Sequence, residues 1–436
     1  MKLLLLFKCQ LLALALLFMT QAADAQFLMD MVDTTMQPGE GLITIYKRYD
    51  HARISGYIQP QFQFAQSKGV ESFNGGDFSP NTDNRFMLRR GRLRFDYARF
   101  TQNNKPSLQF VFQFDGTEKG VFIRDFYGRF YENKWELFSV STGMFARPFG
   151  YEVNLGSPDR ESPERGRMSQ LLMRVERDLG AMVSLEPRRK GHPLRLLKFD
   201  IGVFNGQGLT GPGEYDNNKD LIARLALKPY ELAKGVRLSA GLSLLQGGFI
   251  QNSKYVYKIG NNGGNKFFEV DSSLSNIGET APRQYRGADM QLRIKNKWGF
   301  TELRGEYWWG TQTATLSTSE TPGLLLNEPY YVRKFNGAFF YFLQNIINKQ
   351  HQVGVKFDWY DPNTDVAGKE IGQPGAQLTK ANIKYNTLGF GYNYYINDNL
   401  RLLLWYEFIT NEKTSLDGYR ADVKDNIFTC RLQFRF

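Results

Sequence analysis

The chain closes on Asp425-Asn426-Ile427-Phe428-Thr429-Cys430-Arg431-Leu432-Gln433-Phe434-Arg435-Phe436. From Phe428 onward every second residue is apolar, the signature of a strand with two unlike faces. Phe428, Leu432, Phe434 and Phe436 lie opposite Arg431, Gln433 and Arg435. The stretch before it, 399–410, repeats the pattern: Leu400, Leu402, Leu404, Tyr406 and Phe408 oppose Arg401 and Glu407. In 107–115, Leu108, Phe110, Phe112 and Phe114 oppose Gln109, Gln113 and Asp115. Such strands need an apolar medium on one side and a polar one on the other.

Period-two alternation bounded by turn residues predicts sixteen strands. They fall near 53–64, 86–100, 107–115, 121–132, 136–145, 177–186, 196–205, 219–228, 235–246, 284–296, 300–312, 332–343, 350–360, 383–396, 399–410 and 425–436. Most are about ten residues, the length a tilted strand needs to cross a bilayer. Their connections alternate between long and short. The long ones are 65–85, 146–176, 206–218, 247–283, 313–331, 361–382 and 411–424, with Gly116-Thr117-Glu118-Lys119-Gly120 the brief exception. Between them lie turns such as Asn103-Asn104-Lys105-Pro106, Lys297-Trp298-Gly299 and Asn397-Asp398. An even strand count with loops at one end and turns at the other predicts an all-β fold, an antiparallel transmembrane β-barrel spanning 53–436. The apolar face meets lipid, where a mid-membrane charge costs about 2–4 kcal/mol. The polar face lines a lumen that sixteen strands make wide enough to hold water.

The remaining features agree. Aromatics are 15% of residues although the mean hydropathy is −0.43. After the first residues, no run approaches the eighteen or so apolar residues of a membrane helix. Lys2 and Lys8, the apolar Leu11 to Met19, and Ala23-Asp24-Ala25 predict an export signal over 1–25, cleaved to leave Gln26 first. Cys430 is then the sole cysteine, so no internal disulfide forms. Residues 26–52 fall outside the barrel pattern and are expected to form a periplasmic extension, the other reading being that they tuck into the pore, with a short helix expected over Met29 to Met36 and a strand over Leu42 to Tyr46. Tyr and Trp gather at strand ends, as at Trp308-Trp309, Trp359-Tyr360 and Tyr394-Tyr395, where amphipathic rings favour headgroups. Trp308 and Trp405 have lumenal parity and are the better candidates for stacking on a solute.

Two segments stand out inside the barrel. The connection 146–176 carries Arg147, Arg160, Arg165, Arg167 and Arg174 against Glu152, Asp159, Glu161, Glu164 and Glu176. It is expected to fold inward as a charged constriction loop; an exposed loop with locally paired charges is the other reading. The second strand runs Arg89-Arg90-Gly91-Arg92-Leu93-Arg94-Phe95-Asp96-Tyr97. Arg90, Arg92 and Arg94 share a face with Asp96, opposite Leu93, Phe95 and Tyr97. Planar, permanently charged guanidinium groups suit a ladder for oxyanions. The alternative is that they balance lumenal carboxylates such as Asp115 and Asp125. Net charge is +11, and removing Lys2, Lys8 and Asp24 with the signal leaves +10, which favours anions at a pore mouth. Export and lipid-facing strands argue against a nucleic-acid partner.

These motifs, with Arg147-Pro148-Phe149-Gly150-Tyr151-Glu152, Glu164-Arg165, Arg177-Asp178-Leu179-Gly180 and Gln113-Phe114-Asp115, resemble the phosphate-selective porin O and P family of bacterial outer-membrane porins. The resemblance runs from about residue 53 to the end, with its motifs between 85 and 187. It implies a sixteen-stranded homotrimer that passes phosphate-like anions, with Arg90, Arg92 and Arg94 as the lumenal ladder. The last strand likewise resembles those of outer-membrane barrels, whose terminal aromatic, here Phe436, is read by the barrel-assembly machinery. A general or sugar-conducting porin with little ion selectivity is the alternative. An outer-membrane barrel hydrolase is the rival from another class.

No cofactor or metal motif emerges. Gly206-Gln207-Gly208-Leu209-Thr210-Gly211 has the letters of a dinucleotide loop, but Pro212-Gly213 and another strand follow instead of a helix. His51, His192 and His351 are scattered without metal-ligand spacing. No Gly-x-Ser-x-Gly nucleophile motif is present.

Overall fold

The computed structural model describes residues 51–209 and 213–436. The expected signal and nearly all of the 26–52 extension lie outside the described residues, as do Thr210 to Pro212 of the glycine-rich stretch. Gly206 and Gly208, both at positive φ, belong to a connection between two strands.

All sixteen expected strands are present. In chain order they begin with β1 (Ala52–Ala65), β2 (Asn84–Phe100), β3 (Pro106–Thr117), β4 (Gly120–Tyr131), β5 (Phe138–Ala146), β6 (Arg177–Leu185), β7 (Leu197–Phe204), β8 (Asp220–Ala233) and β9 (Val236–Ile250). After the hairpin β10 (Val256–Asn262) and β11 (Asn265–Asp271) come β12 (Thr280–Asn296), β13 (Gly299–Ala314), β14 (Tyr330–Asn345) and β15 (His351–Asp361). The last three are β16 (Tyr385–Asn397), β17 (Leu400–Asn411) and β18 (Ile427–Arg435). Each wall strand pairs antiparallel with the next, β9 passing directly to β12. β18 returns to β1 in the register Tyr57↔Arg435 and Phe62↔Cys430. Gly56 and Phe436 exchange backbone hydrogen bonds at 3.2 and 3.0 Å across this seam. The sheet is therefore a closed sixteen-stranded barrel.

The faces sort as the alternation requires. On β3, Gln109, Val111 and Gln113 are buried inward while Phe110, Phe112 and Phe114 are exposed outward. On β18, Thr429, Arg431 and Gln433 point in and Leu432 and Phe434 point out.

The hairpin β10–β11 was hidden inside what reads as a long connection. Gly263 and Gly264, at φ 60° and 93°, form its two-residue turn, a conformation in which glycine avoids the side-chain clash. It is not one of the sixteen strands of the wall and joins it only through a short parallel pairing with the start of β14, Val256↔Tyr330 and Tyr257↔Tyr331. Phe268 packs with Tyr331 of β14 and with Val366, Ile371 and Leu378 of the loop after β15, a small apolar core above the mouth. Wall height is uneven. β12 and β13 have 17 and 16 residues, whereas β6 and β7 have 9 and 8. The tall strands carry their backbone pairing far toward the loop end, as in Thr280↔Ile250 through Arg283↔Gly247.

Candidate functional site: the lumenal loop and the arginine wall

The connection after β5 turns into the lumen at Gly150. Its φ is +70°, and a Cβ there would lie 2.5 Å from a Glu306 carboxylate oxygen and 2.6 Å from the Trp308 ring. The backbone therefore approaches β13 closely. Tyr151 and Glu152 donate their N–H groups to the Glu306 carboxylate at 2.7 and 2.9 Å, and Trp308 donates its indole N–H to the same group at 2.7 Å. Phe149 meets Trp308 edge-on, ring centres 4.7 Å apart.

From this first anchor the loop crosses to the opposite wall. The Glu152 carboxylate accepts from Gly166 N–H, from the Ser169 hydroxyl at 2.6 Å and from Lys356 of β15 at 3.1 Å. Those bonds join the two limbs of the loop and hold the single turn α1 (Arg167–Leu172). Glu161 accepts from both terminal nitrogens of Arg304 on β13, at 2.7 and 2.9 Å. Glu164 is gripped by three guanidinium groups: Arg89 at 2.8 Å, Arg90 at 2.6 Å and Arg431 at 3.0 Å. Asp159 pairs with Arg435 at 3.1 Å. Burial by itself would push the Glu164 carboxyl up, but Arg89, Arg90 and Arg431 outweigh it and hold it well below the usual carboxylate range. Glu176 is held down in the same way, with burial outweighed by Arg124, Arg165 and Arg177.

The expected inward loop is thus where the structure places it, with its carboxylates aimed at the wall. Its arginines take other partners. Arg147 donates to the Val175 carbonyl, Arg160 to the Leu155 carbonyl, and Arg165 to the Ser169, Met173 and Arg174 carbonyls. Arg167 lies 3.5 Å over the Tyr385 ring, and Arg174 reaches outward to Glu320 at 2.6 Å. The two indoles read as stacking candidates are covered by this loop. Trp308 lies under Phe149 and Trp405 lies in an apolar cluster with Tyr151 and Leu155, both fully buried. Neither presents a free ring to a solute, because parity along a strand says which way a ring points but not what fills the space before it.

Arg90, Arg92 and Arg94 do share the inward face of β2. Each meets an acid: Arg90 meets Glu164, Arg92 meets Asp115 at 2.9 Å, and Arg94 meets Asp96 at 2.8 Å. The strip continues across the sheet through residues that sequence reading did not single out as site residues. Arg124 of β4 donates to Glu176 at 2.8 Å, and Arg177 of β6 donates to Asp125 at 2.9 Å. Arg124 escapes a parity count because the β3–β4 register slips there, Gln113 facing Asp125 and Phe114 facing Ile123. The extra residue in this bulge turns Arg124 toward the same lumenal acids as its neighbour's partners. Arg129 of β4 donates to the Ser141 hydroxyl at 2.8 Å and forms no ion pair among the described residues. Arg165 makes no salt bridge among the described residues, but its charge acts on the Glu176 carboxylate from beyond contact distance.

No family model and no curated protein matches the chain. Solved structures do. A high-pH structure of OprB from Pseudomonas putida aligns over 95% of this chain and 99% of its own, at 9% identity and TM-score 0.54. An anion-selective porin from Comamonas acidovorans aligns over 88% and 99%, at 10% identity and TM-score 0.49. The outer membrane channel DcaP of Acinetobacter baumannii aligns over 88% and 97%, at 11% identity and TM-score 0.48. At these identities the likeness is one of architecture, and the architecture is the sixteen-stranded barrel of outer-membrane porins.

Proposed function

We propose that this chain is an outer-membrane porin through which small anions, oxyanions such as phosphate among them, diffuse passively to the periplasm. The observation that carries this reading is the arginine wall from β2 to β6. Arg90, Arg92, Arg94, Arg124 and Arg177 have acidic partners, but Arg129 of β4 brings a guanidinium charge that no salt bridge among the described residues compensates. A lumen with surplus fixed positive charge concentrates anions and repels cations. The resemblance of the Arg90-Gly91-Arg92-Leu93-Arg94 strand to phosphate-selective porins supports the oxyanion class. Assembly as a homotrimer, and recognition of the terminal strand and Phe436 by the barrel-assembly machinery, belong to the same proposal.

A second reading rests on a specific observation: every rung of the ladder at 90, 92 and 94 is charge-compensated. A lumen balanced in that way suits a general porin or one for neutral solutes such as sugars. Reversal potential in planar bilayers under a salt gradient separates the two. Anion selectivity that diminishes in Arg129→Gln, together with conductance block by added phosphate, supports the first. A reversal potential at zero supports the second and removes the anion-specific reading.

A further inference from the structure

The positive charge of this chain is not spread evenly between its two ends. The turns between β4 and β5, β6 and β7, β8 and β9, and β12 and β13 all lie at the end of the barrel opposite the long loops. These turns and the strand ends beside them expose Lys134, Arg189, Arg195, Lys234, Lys295 and Lys297, none of which has an ion-pair partner among the described residues. The acids at this end are largely consumed. Glu132 is buried and accepts the N–H groups of Lys134, Trp135 and Leu137; Glu136 pairs with Lys105 and Glu186 with Lys228. Among the described residues, Glu231 and Asp398 are its exposed acids. At the loop end the balance differs: residues 315–329 carry Glu320 and Glu328 with no cation, and 66–83 set Lys68 against Glu71, Asp77 and Asp83.

Apolar rings accompany the turn-end cations. Trp135 is 60% exposed with the Lys134 ammonium 5.3 Å from its ring, and Trp298 is 41% exposed with the Lys297 ammonium at 4.4 Å. Leu194, in the turn between β6 and β7, and Leu232, at the end of β8, are exposed beside them. An indole seated at a membrane interface beside an unpaired ammonium is suited to a lipid phosphate whose glycerol and acyl chains lie against the ring. An acidic protein docking from the periplasm would use the same charges but would leave these outward rings uncovered.

We propose that this basic rim binds anionic phospholipid headgroups of the periplasmic leaflet, gathering them around the barrel in preference to zwitterionic ones. The rim acts independently of what passes through the lumen.

Quenching of tryptophan fluorescence by brominated lipids tests this on the folded full-length protein. Brominated phosphatidylglycerol should compete about fivefold better than brominated phosphatidylcholine at low salt. The preference should vanish near 1 M salt, where the screening length is about 3 Å. It should disappear in the charge-reversed variant Lys134→Glu/Lys295→Glu/Lys297→Glu, and its signal should be lost in Trp135→Phe/Trp298→Phe. Replacing chloride by inorganic phosphate at equal ionic strength should leave it unchanged. Equal quenching by the two lipids in the unaltered protein overturns the proposal, whether or not the variants fold. So does a preference reported by Trp309 and Trp359 at the loop end, one abolished by free phosphate, or one that survives charge reversal. Loss of the preference on adding a soluble polyanion at matched ionic strength assigns the rim to an acidic macromolecule instead.

Discussion

Glu164, carried on the lumenal loop, receives Arg90 of β2 in a two-pronged hydrogen-bonded pair, at 3.0 Å on one oxygen and 2.6 Å on the other. Arg89 and Arg431 complete the grip. The pair joins the loop to the wall at the place where the first and last strands meet.

Glu164→Gln should loosen the loop. An amide cannot balance three guanidinium groups, and breaking a buried pair costs about 3–5 kcal/mol. Single-channel recordings should show larger and noisier conductance than the unaltered barrel. Unchanged current levels and noise would remove Glu164 as the anchor.

Acid should produce the same release, and only at low pH. The folded-state pKa of Glu164 lies below its unfolded value of about 4.3. Its stabilisation is therefore complete above the unfolded pKa and is lost as pH falls through the folded one. Conductance should stay level from neutral pH to about pH 5 and rise only well below pH 4. Glu164→Gln should lack that transition; a rise near pH 6 in the unaltered protein would implicate another group.

Gly150→Ala should be markedly more harmful than Gly191→Ala. Both glycines have positive φ, but a Cβ at 150 strikes Glu306 and Trp308, while at 191 nothing lies within 4 Å. The backbone term alone is about 1 kcal/mol, and the clash at 150 adds roughly 1–3 kcal/mol and displaces the loop. The temperature at which the folded barrel gives way on a denaturing gel measures both. Equal losses would mean that the loop does not depend on its approach to β13.

Arg129→Gln should lower the anion-to-cation permeability ratio with only a small loss of thermal stability, since it breaks no ion pair and removes one hydrogen bond, to Ser141. A unit charge acting at about 10 Å through water is worth roughly 0.4 kcal/mol, and more where lumenal walls exclude water, giving about a two- to fivefold change. Arg92→Gln should cost stability as well, because it strands Asp115 and Ser157. Indistinguishable behaviour of the two variants would argue that pairing does not decide which arginines act on passing ions.

The wall of the barrel was legible because lipid imposes a strict rule on every second residue. Phe110, Phe112 and Phe114 against Gln109 and Gln113 leave no other arrangement. The inward course of 147–176 was expected from its place after β5, where the corresponding loop of general porins folds inward, and its charges alone fitted an exposed loop equally well. What escaped reading depends on three-dimensional pairing. Arg124 is hidden by a one-residue bulge, and the partners of Glu164 lie 75 residues before it and 267 after it. The hairpin β10–β11 did carry a local signal, Asn262-Gly263-Gly264-Asn265 between Ile259 and Phe267. It was masked because it sits among connections rather than in the alternating series.

The grip on Glu164 also orders events in time. Arg431 is on β18, Arg89 and Arg90 are on β2, and β1 is zipped between them, its Gln61 accepting from Arg431 at 2.8 Å. The loop's binding pocket therefore does not exist until the final strand has met the first. Sealing of the cylinder and seating of Glu164 are coupled, whereas the anchors at Glu306, Arg304 and Lys356 belong to strands away from the seam.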